Sequence, residues 1–205
     1  MTRLLLIRHG LTPMNIDNRI QGSIETTLTK HGLKQARDLA RRLKDEKIDA
    51  IYSSTMQRAI MTANEVLKYH PRLKLKTFEG LMERDFGEFE GLHYGHAKKR
   101  EPRLLANVNF TDFDYVPKDG ESWEHVRKRS MTVINHLLRI HKDDTIAVIA
   151  HGGTNRVIIA TLIGLPLNSI PVFKQHNACV NVIDINGKKV RLVLLNDTDH
   201  TISNY

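Results

Sequence analysis

The stretch that decides the fold is "TRLLLIRHGLT", Thr2 to Thr12. Its apolar run, Leu4 to Ile7, reads as a short buried strand. The run ends abruptly on Arg8, His9 and Gly10. The same device recurs in "TIAVIAHGGT", Thr145 to Thr154, where a second apolar run is delivered into His151-Gly152-Gly153. One His-Gly after a strand carries little information. Two, with an arginine beside the first, are harder to dismiss. Gly10, Gly152 and Gly153 let the backbone approach a ligand closely with its N–H groups exposed to it.

Working outward, strands and helices alternate. Thr29 caps a helix whose apolar residues Leu33, Ala36, Ala40 and Leu43 recur every three or four positions. "IDAIYSS" (48–54) reads as a strand, "RAIMTANEVL" (58–67) as a helix and "RLKLKTF" (72–78) as a strand. Gly80 to Gly120 is rich in glycine and charge, with a short helix expected near Gly95 to Leu105. Ser122 opens a long helix carrying Val126, Val133, Ile134, Leu137 and Leu138. A helix after His151 closes at Gly164. The last strands, "ACVNVIDI" and "VRLVLLN", join through Asn186-Gly187, a type I′ hairpin signal. This pattern predicts a three-layer α/β sandwich over residues 1–205 as one domain. Its central sheet is mostly parallel, with helices on both faces and an edge hairpin. Ligands of such sheets gather beyond the carboxyl ends of the strands, where Arg8 and His9 lie.

Other residues fit an anion there. Ser53 and Ser54 end the second strand, and Arg58 falls in the first turn of the next helix. "LMERDFGEFEG" (81–91) is a loop crowded with Glu83, Asp85, Glu88 and Glu90. Most acids in such a loop are solvated, but one can be a proton donor. A transferring phosphoryl group spreads charge over three oxygens. Arginine forks match those oxygens, a neutral imidazole nitrogen can attack phosphorus, and a carboxyl group can protonate the leaving oxygen.

The chain has 205 residues, 40% of them hydrophobic and 26% charged, with a net charge of +8. That excess favours anionic partners. Only 6% of residues are aromatic, without an array for stacking bases, which argues against nucleic acid. The longest apolar stretch, Val157 to Leu167, is too short to span a bilayer, and no signal-peptide core is read at the start. Cys179 is the single cysteine, so no internal disulfide forms. A cytoplasmic protein, monomeric or homodimeric, is the expectation.

The stretches "LIRHGLT", "LTKHGLKQA", "SSTMQRAIMTA", "LMERDFGEFEG", "DGES", "IAHGG" and the closing "LLNDTDH" together resemble the histidine phosphatase superfamily, the phosphoglycerate-mutase-like proteins. The resemblance covers essentially the whole chain and implies roles by position. His9 is the phosphorylated nucleophile. Arg8, Arg58 and His151 bind and polarise the phosphoryl oxygens, and Glu83 is the proton donor. Asn15, Gln21 and Gly22 line the phosphate pocket, and Gly152 contributes a backbone N–H. It implies neither metal nor cofactor, because the arginines replace the cation.

Three departures fall at the pocket edge: Leu11 where Glu or Gln is usual, "ETTLT" without the family's proline, and "SSTMQRA" without a second one. The expected activity is hydrolysis of a small phosphorylated metabolite. The acidic "ERDFGEFEG" favours it over a cofactor-dependent phosphoglycerate mutase. The basic "HAKKREPR" (96–103) stands on the other side, as a holder for a second phosphate or carboxylate. A non-enzymatic basic binding module is the remaining alternative. "DFDYV" (112–116) lacks the buried strand that an aspartyl phosphatase needs. No arginine stands six residues after Cys179, and "HYGH" (93–96) has no sure third metal ligand.

Overall fold

A computed structural model of the chain describes residues 1–102 and 113–202. The strands are β1 (Thr2–Arg8), β2 (Ala50–Ser53), β3 (Leu75–Thr77), β4 (Thr145–Ala150), β5 (Val180–Asn186) and β6 (Lys189–Asp197). The helices are α1 (Pro13–Ile16), α2 (Lys30–Arg42), α3 (Gln57–Leu67), α4 (Tyr94–Arg100), α5 (Trp123–Ile140), α6 (Gly152–Leu162) and α7 (Asp199–Ile202). One sheet runs in the order β3-β2-β4-β1-β5-β6. β1 to β4 are mutually parallel, and the β5–β6 hairpin closes one edge antiparallel.

Side chains alternate across this sheet, and the alternation builds both outer layers. Leu4 and Leu6 of β1 join Ile146 and Val148 of β4 beneath α5 and α6, which supply Val126, Ile134, Leu137 and Val157. Leu5 and Ile7 join Ala147 and Ile149 on the other face beneath α2 and α3, which supply Leu39, Ala40, Ala63 and Val66. β1 and β4 are therefore buried on both faces and read as continuous apolar runs. Thr29 and Ser122 cap α2 and α5 as expected, accepting from Gly32 N at 2.9 Å and His125 N at 3.0 Å.

Several elements differ from the sequence expectation. β2 and β3 are shorter than their apolar patterns, because β3 is a half-exposed edge strand with three paired residues. α6 begins at Gly152, since His151 serves as its N-cap directly after β4. The hairpin turn sits one residue later than the Asn-Gly signal implied. Asn186 pairs with Lys189, and Gly187-Lys188 is the two-residue loop. Gly187 alone takes a positive φ there, +58°, which is the type II′ arrangement. The helix expected near 95–105 is α4, ending at Arg100; residues 103–105 lie outside the described residues. Among the described residues no helix is long and apolar enough to cross a membrane.

The register places the site. β1 and β4 are neighbours, with Arg8 opposite Ala150, so the next residues on each strand, His9 and His151, emerge side by side. The turn after His9 presses against α2. A Cβ on Gly10 would meet Gly32 O at 2.5 Å, and one on Gly32 would meet Leu11 O at 2.1 Å. Gly10 N donates to Thr62 Oγ1 at 3.1 Å and Leu11 N to Gln35 Oε1 at 2.9 Å, so the turn cannot retreat freely. Gly32→Ala is expected to cost about 1–3 kcal/mol through overpacking. Thermal unfolding should show a Tm lowered by roughly 2–4 °C for each kcal/mol. An unchanged Tm would mean that the turn yields without cost.

Candidate active site

A cleft of about 250 Å³ opens at the carboxyl ends of the strands, with Arg8, His9, Arg58 and Glu83 in its walls. His9 is 3% exposed. Its Nδ1 lies 2.7 Å from Gly10 O, so Nδ1 carries the hydrogen and donates to that carbonyl. Nε2 is then left with its lone pair on the cleft side. Burial, followed by the charges of Arg58 and Arg8, holds the His9 pKa well below the ordinary imidazole value of 6.5.

His151 is fully buried, its ring centroid 5.2 Å from that of His9. Its Nδ1 accepts from Arg58 Nε at 3.2 Å, which leaves Nε2–H to donate to Ser54 Oγ at 2.7 Å. Burial and Arg58 push its pKa well down too. His151 thus sits behind the cleft lining with both ring nitrogens engaged.

Arg58, in the first turn of α3, is 0% exposed. Nη1 donates to Ile24 O at 2.9 Å and Nη2 to Gly22 O at 2.7 Å. With its amide oxygen turned toward Arg58, Gln21 accepts from Nη1 at 2.7 Å and donates to Thr12 Oγ1 at 2.6 Å. Burial lowers the Arg58 pKa to about 10, so the group stays charged at neutral pH. Arg8 Nη1 donates to Gln175 O at 2.5 Å, while its buried Nε has no partner. Trp123 Nε1, also buried beside the cleft, has none either.

Glu83 follows a short 3₁₀ turn and rests on the N-terminus of α6. It accepts from Gly153 N at 2.9 Å, Thr154 N at 3.1 Å and Arg84 N at 3.0 Å. Its loop is clamped from α5. Arg129 donates to the carbonyls of Gly80, Met82 and Glu83 at 2.7–3.0 Å and pairs with Glu121.

The five residues expected to act together do converge, with Asn15, Gln21 and Gly22 around them. Asn15 is fixed by a reciprocal cap with Thr12 and accepts from Asn177 Nδ2 at 2.9 Å. Gly22 lines the cleft as expected, and its carbonyl accepts from Arg58. Gly153, not Gly152, lines the cleft, and its N–H is taken by Glu83. Gly152 instead leaves room for Arg8, whose Nε would lie 3.3 Å from a Cβ there.

Glu90 is not solvated as loop acids usually are. It accepts from Ser23 N at 2.7 Å and Phe86 N at 3.1 Å, and burial raises its pKa. None of residues 96–102 lines the cleft; Lys98, Lys99 and Arg100 are exposed and Arg100 pairs with Glu88. Arg103 and Asp112 lie outside the described residues. Burial pushes the Cys179 thiol up to about 11. Among the described residues no cluster of three or more His, Cys, Asp or Glu is placed to hold a metal.

Sequence reasoning missed Arg129, Gln175, Asn177, Trp123, Arg19 and Arg156. Only "DGES", just ahead of α5, hinted at the clamp around Glu121.

The fold and site define an α/β protein whose cleft at the strand ends gathers Arg8, His9, Arg58 and Glu83, with His151 buried behind them. The chain belongs to the histidine phosphatase superfamily (branch 1), whose model matches residues 4–198. It is 33% identical over 205 residues to a metal-independent phosphoserine phosphatase of Arabidopsis thaliana, covering 99% of this chain and 84% of that protein. It is 31% identical to a 2,3-bisphosphoglycerate-dependent phosphoglycerate mutase of Bartonella bacilliformis, covering 85% of this chain and 92% of that one. Its fold matches the crystal structure of phosphoserine phosphatase from Entamoeba histolytica in complex with 3-phosphoglyceric acid. The TM-score is 0.88 at 27% identity, over 98% of this chain and all of that one.

The depressed imidazole pKa values have a signed consequence. The folded protein refuses protons at His9 and His151 that an unfolded imidazole takes up near 6.5. Their contribution to stability is therefore present above about pH 6.5 and is lost as pH falls below it. In a proton NMR titration both imidazoles should keep neutral-form shifts as pH falls through 6.5. A midpoint at 6.5 for either would contradict this reading.

Proposed function

We propose that the chain is a metal-independent phosphatase, a single catalytic domain that hydrolyses small phosphomonoesters through a phosphohistidine on His9. The observation that carries this is the state of His9. Its Nδ1–H is tied to Gly10 O, its ring is kept neutral between two arginines, and Nε2 is left on the cleft side. The phosphatase names among its relatives support the same reading.

In the first step the Nε2 lone pair attacks phosphorus and the P–O ester bond breaks. Arg8 and Arg58 hold the equatorial oxygens, as preorganised positive charge aimed where negative charge spreads. Arg8 Nε is free to serve as one of those donors. The Glu83 carboxyl gives its proton to the leaving oxygen, which departs as the alcohol. In the second step the Glu83 carboxylate takes a proton from water, the resulting hydroxide attacks phosphorus, and the P–N bond breaks. Phosphate leaves and neutral His9 is restored. His151 acts by holding Arg58 Nε. Asn15 and Gln21 line the oxygen pocket, and Gly22 and Gly152 keep the two arginines in place.

His9→Ala is expected to lower phosphate release by about 10⁴-fold or more, since the nucleophile is lost. Glu83→Gln should lower kcat by roughly 10²–10⁴-fold. Acid-labile, base-stable phosphate trapped on the wild-type protein but not on His9→Ala identifies the intermediate. Activity that survives in His9→Ala, or that requires added magnesium, would overturn the proposal. Phosphate release that depends on a bisphosphate primer would favour mutase action instead.

Gly153→Ala tests the carboxyl's seat. The new Cβ would lie 2.5 Å from Glu83 Oε1 and 2.8 Å from Trp123 Cη2. A shift of Glu83 of about 1 Å is expected to lower kcat on the order of 10²-fold. Full activity would show that Glu83 tolerates displacement.

A further inference from the structure

Asn15 reaches the cleft from α1, and what it offers an anion depends on which way its amide is turned. The lining it joins is cationic, with Arg8, Arg19, Arg58 and Arg156 against a single carboxylate, Glu83. An amide nitrogen facing that space donates to a phosphoryl oxygen, whereas an amide oxygen repels it.

Two donors decide the orientation. Thr12 N–H, which can only donate, points at Asn15 Oδ1 from 3.3 Å. Asn177 Nδ2 lies 2.9 Å from the same oxygen. The amide of Asn177 is itself fixed, because its nitrogen also faces two acceptors, His9 O and Gly10 O, each at 3.3 Å. Two hydrogens thus serve three acceptors: one goes to Asn15, the nearest, and the other is shared by the two carbonyls. The bond from Thr12 is too long to hold Asn15 alone. Asn15 Nδ2 is left as the unengaged end of its amide, with no protein partner among the described residues.

Asn177 does not line the cleft. Its neighbour holds it at the strand end. Ala178 is fully buried and takes a left-handed φ of +59°, which a residue with a Cβ rarely adopts. Its N–H donates to His9 O at 3.1 Å. Strain of this kind persists only where surrounding contacts over-determine it. Residues 177 and 178 both close on the backbone of His9, so Asn177 ties Asn15 to the segment that carries the nucleophile.

We propose that Asn177 is a positioning residue of the phosphoryl site. It sets the polarity of Asn15, so that Nδ2 rather than Oδ1 meets an equatorial oxygen, and it keeps that donor in register with His9. The proposal rests on the reading of His9, Arg8 and Arg58 as the phosphoryl site.

The experiment is a double-mutant cycle read as the Kd of orthovanadate, a stand-in for the transferring phosphoryl group. Asn15→Ala removes the donor and Asn177→Ala removes its support. Each alone is expected to weaken binding by about tenfold, the scale of one hydrogen bond to a charged group. Together they should also weaken it by about tenfold rather than about a hundredfold, because Asn177 acts through Asn15. Damage to the fold would add in both backgrounds. Asn177→Leu, close in volume but without donors, should repeat the result. In the unaltered protein the side-chain amide resonances of Asn15 should shift when orthovanadate is added. Additive losses, Asn177 variants that bind as tightly as the unaltered protein, or Asn15 resonances that stay in place overturn the proposal. Failure of the unaltered protein to bind orthovanadate, with no phosphoenzyme on His9, overturns the phosphatase reading instead.

Discussion

Arg58 is completely buried, yet carbonyl oxygens and a neutral imidazole meet its guanidinium rather than a partner carboxylate. Burying an unpaired charge costs several kcal/mol, so the chain must bring dipoles to it. That requirement sets the path of residues 20–26. Gly22 takes a left-handed φ of +51° so that its carbonyl and that of Ile24 converge on the guanidinium. Ser23 between them is tied down by Glu90. Burial holds His9 and His151 neutral, and the same cation adds to that effect at both. The shape of one cleft wall follows from one buried charge, which also reinforces the neutral state that burial gives the imidazoles.

The facing wall uses the same device. Arg129 collects the carbonyls of Gly80, Met82 and Glu83, while Arg84 is buried between the rings of Phe86 and Trp123, 5.0 and 4.7 Å from their centroids. Glu121 pairs with Arg129 and also accepts from Asp85 N at 3.1 Å. A loop rich in glycine and charge is thereby given one conformation without a strand or long helix of its own. Glu83 sits where the clamped loop meets the N–H groups of α6, so two independent elements position it.

What the sequence made legible was what neighbours in the chain decide. A strand that ends in His-Gly shows both the element and the residue it presents. The adjacency of β1 and β4 then made two local signals into one site. Arg58 was readable because a strand end and a helix start bracket it. The supporting groups were not, because their partners lie far along the chain: Arg129 reaches back to residues 80–83, and Gln175 to Arg8. Glu90 looked like a solvated loop acid until its backbone donors were in place. Gly152 and Gly153 are indistinguishable in "HGG"; only the packing of Trp123 and Glu83 against the second separates them. The basic run 96–103 drew attention by density of charge, whereas Arg19 and Arg156 stand singly in unremarkable stretches.

β1, which carries Arg8 and leads into His9, pairs with β4 on one side and β5 on the other and is covered by helices on both faces. Strands enclosed in this way open with the most protected part of the molecule. Its amides should be among the last to exchange with solvent, and no local fraying releases His9 while the rest stays folded. Denaturant would then abolish the site only where the whole sheet melts, so loss of chemistry and loss of fold share a single transition.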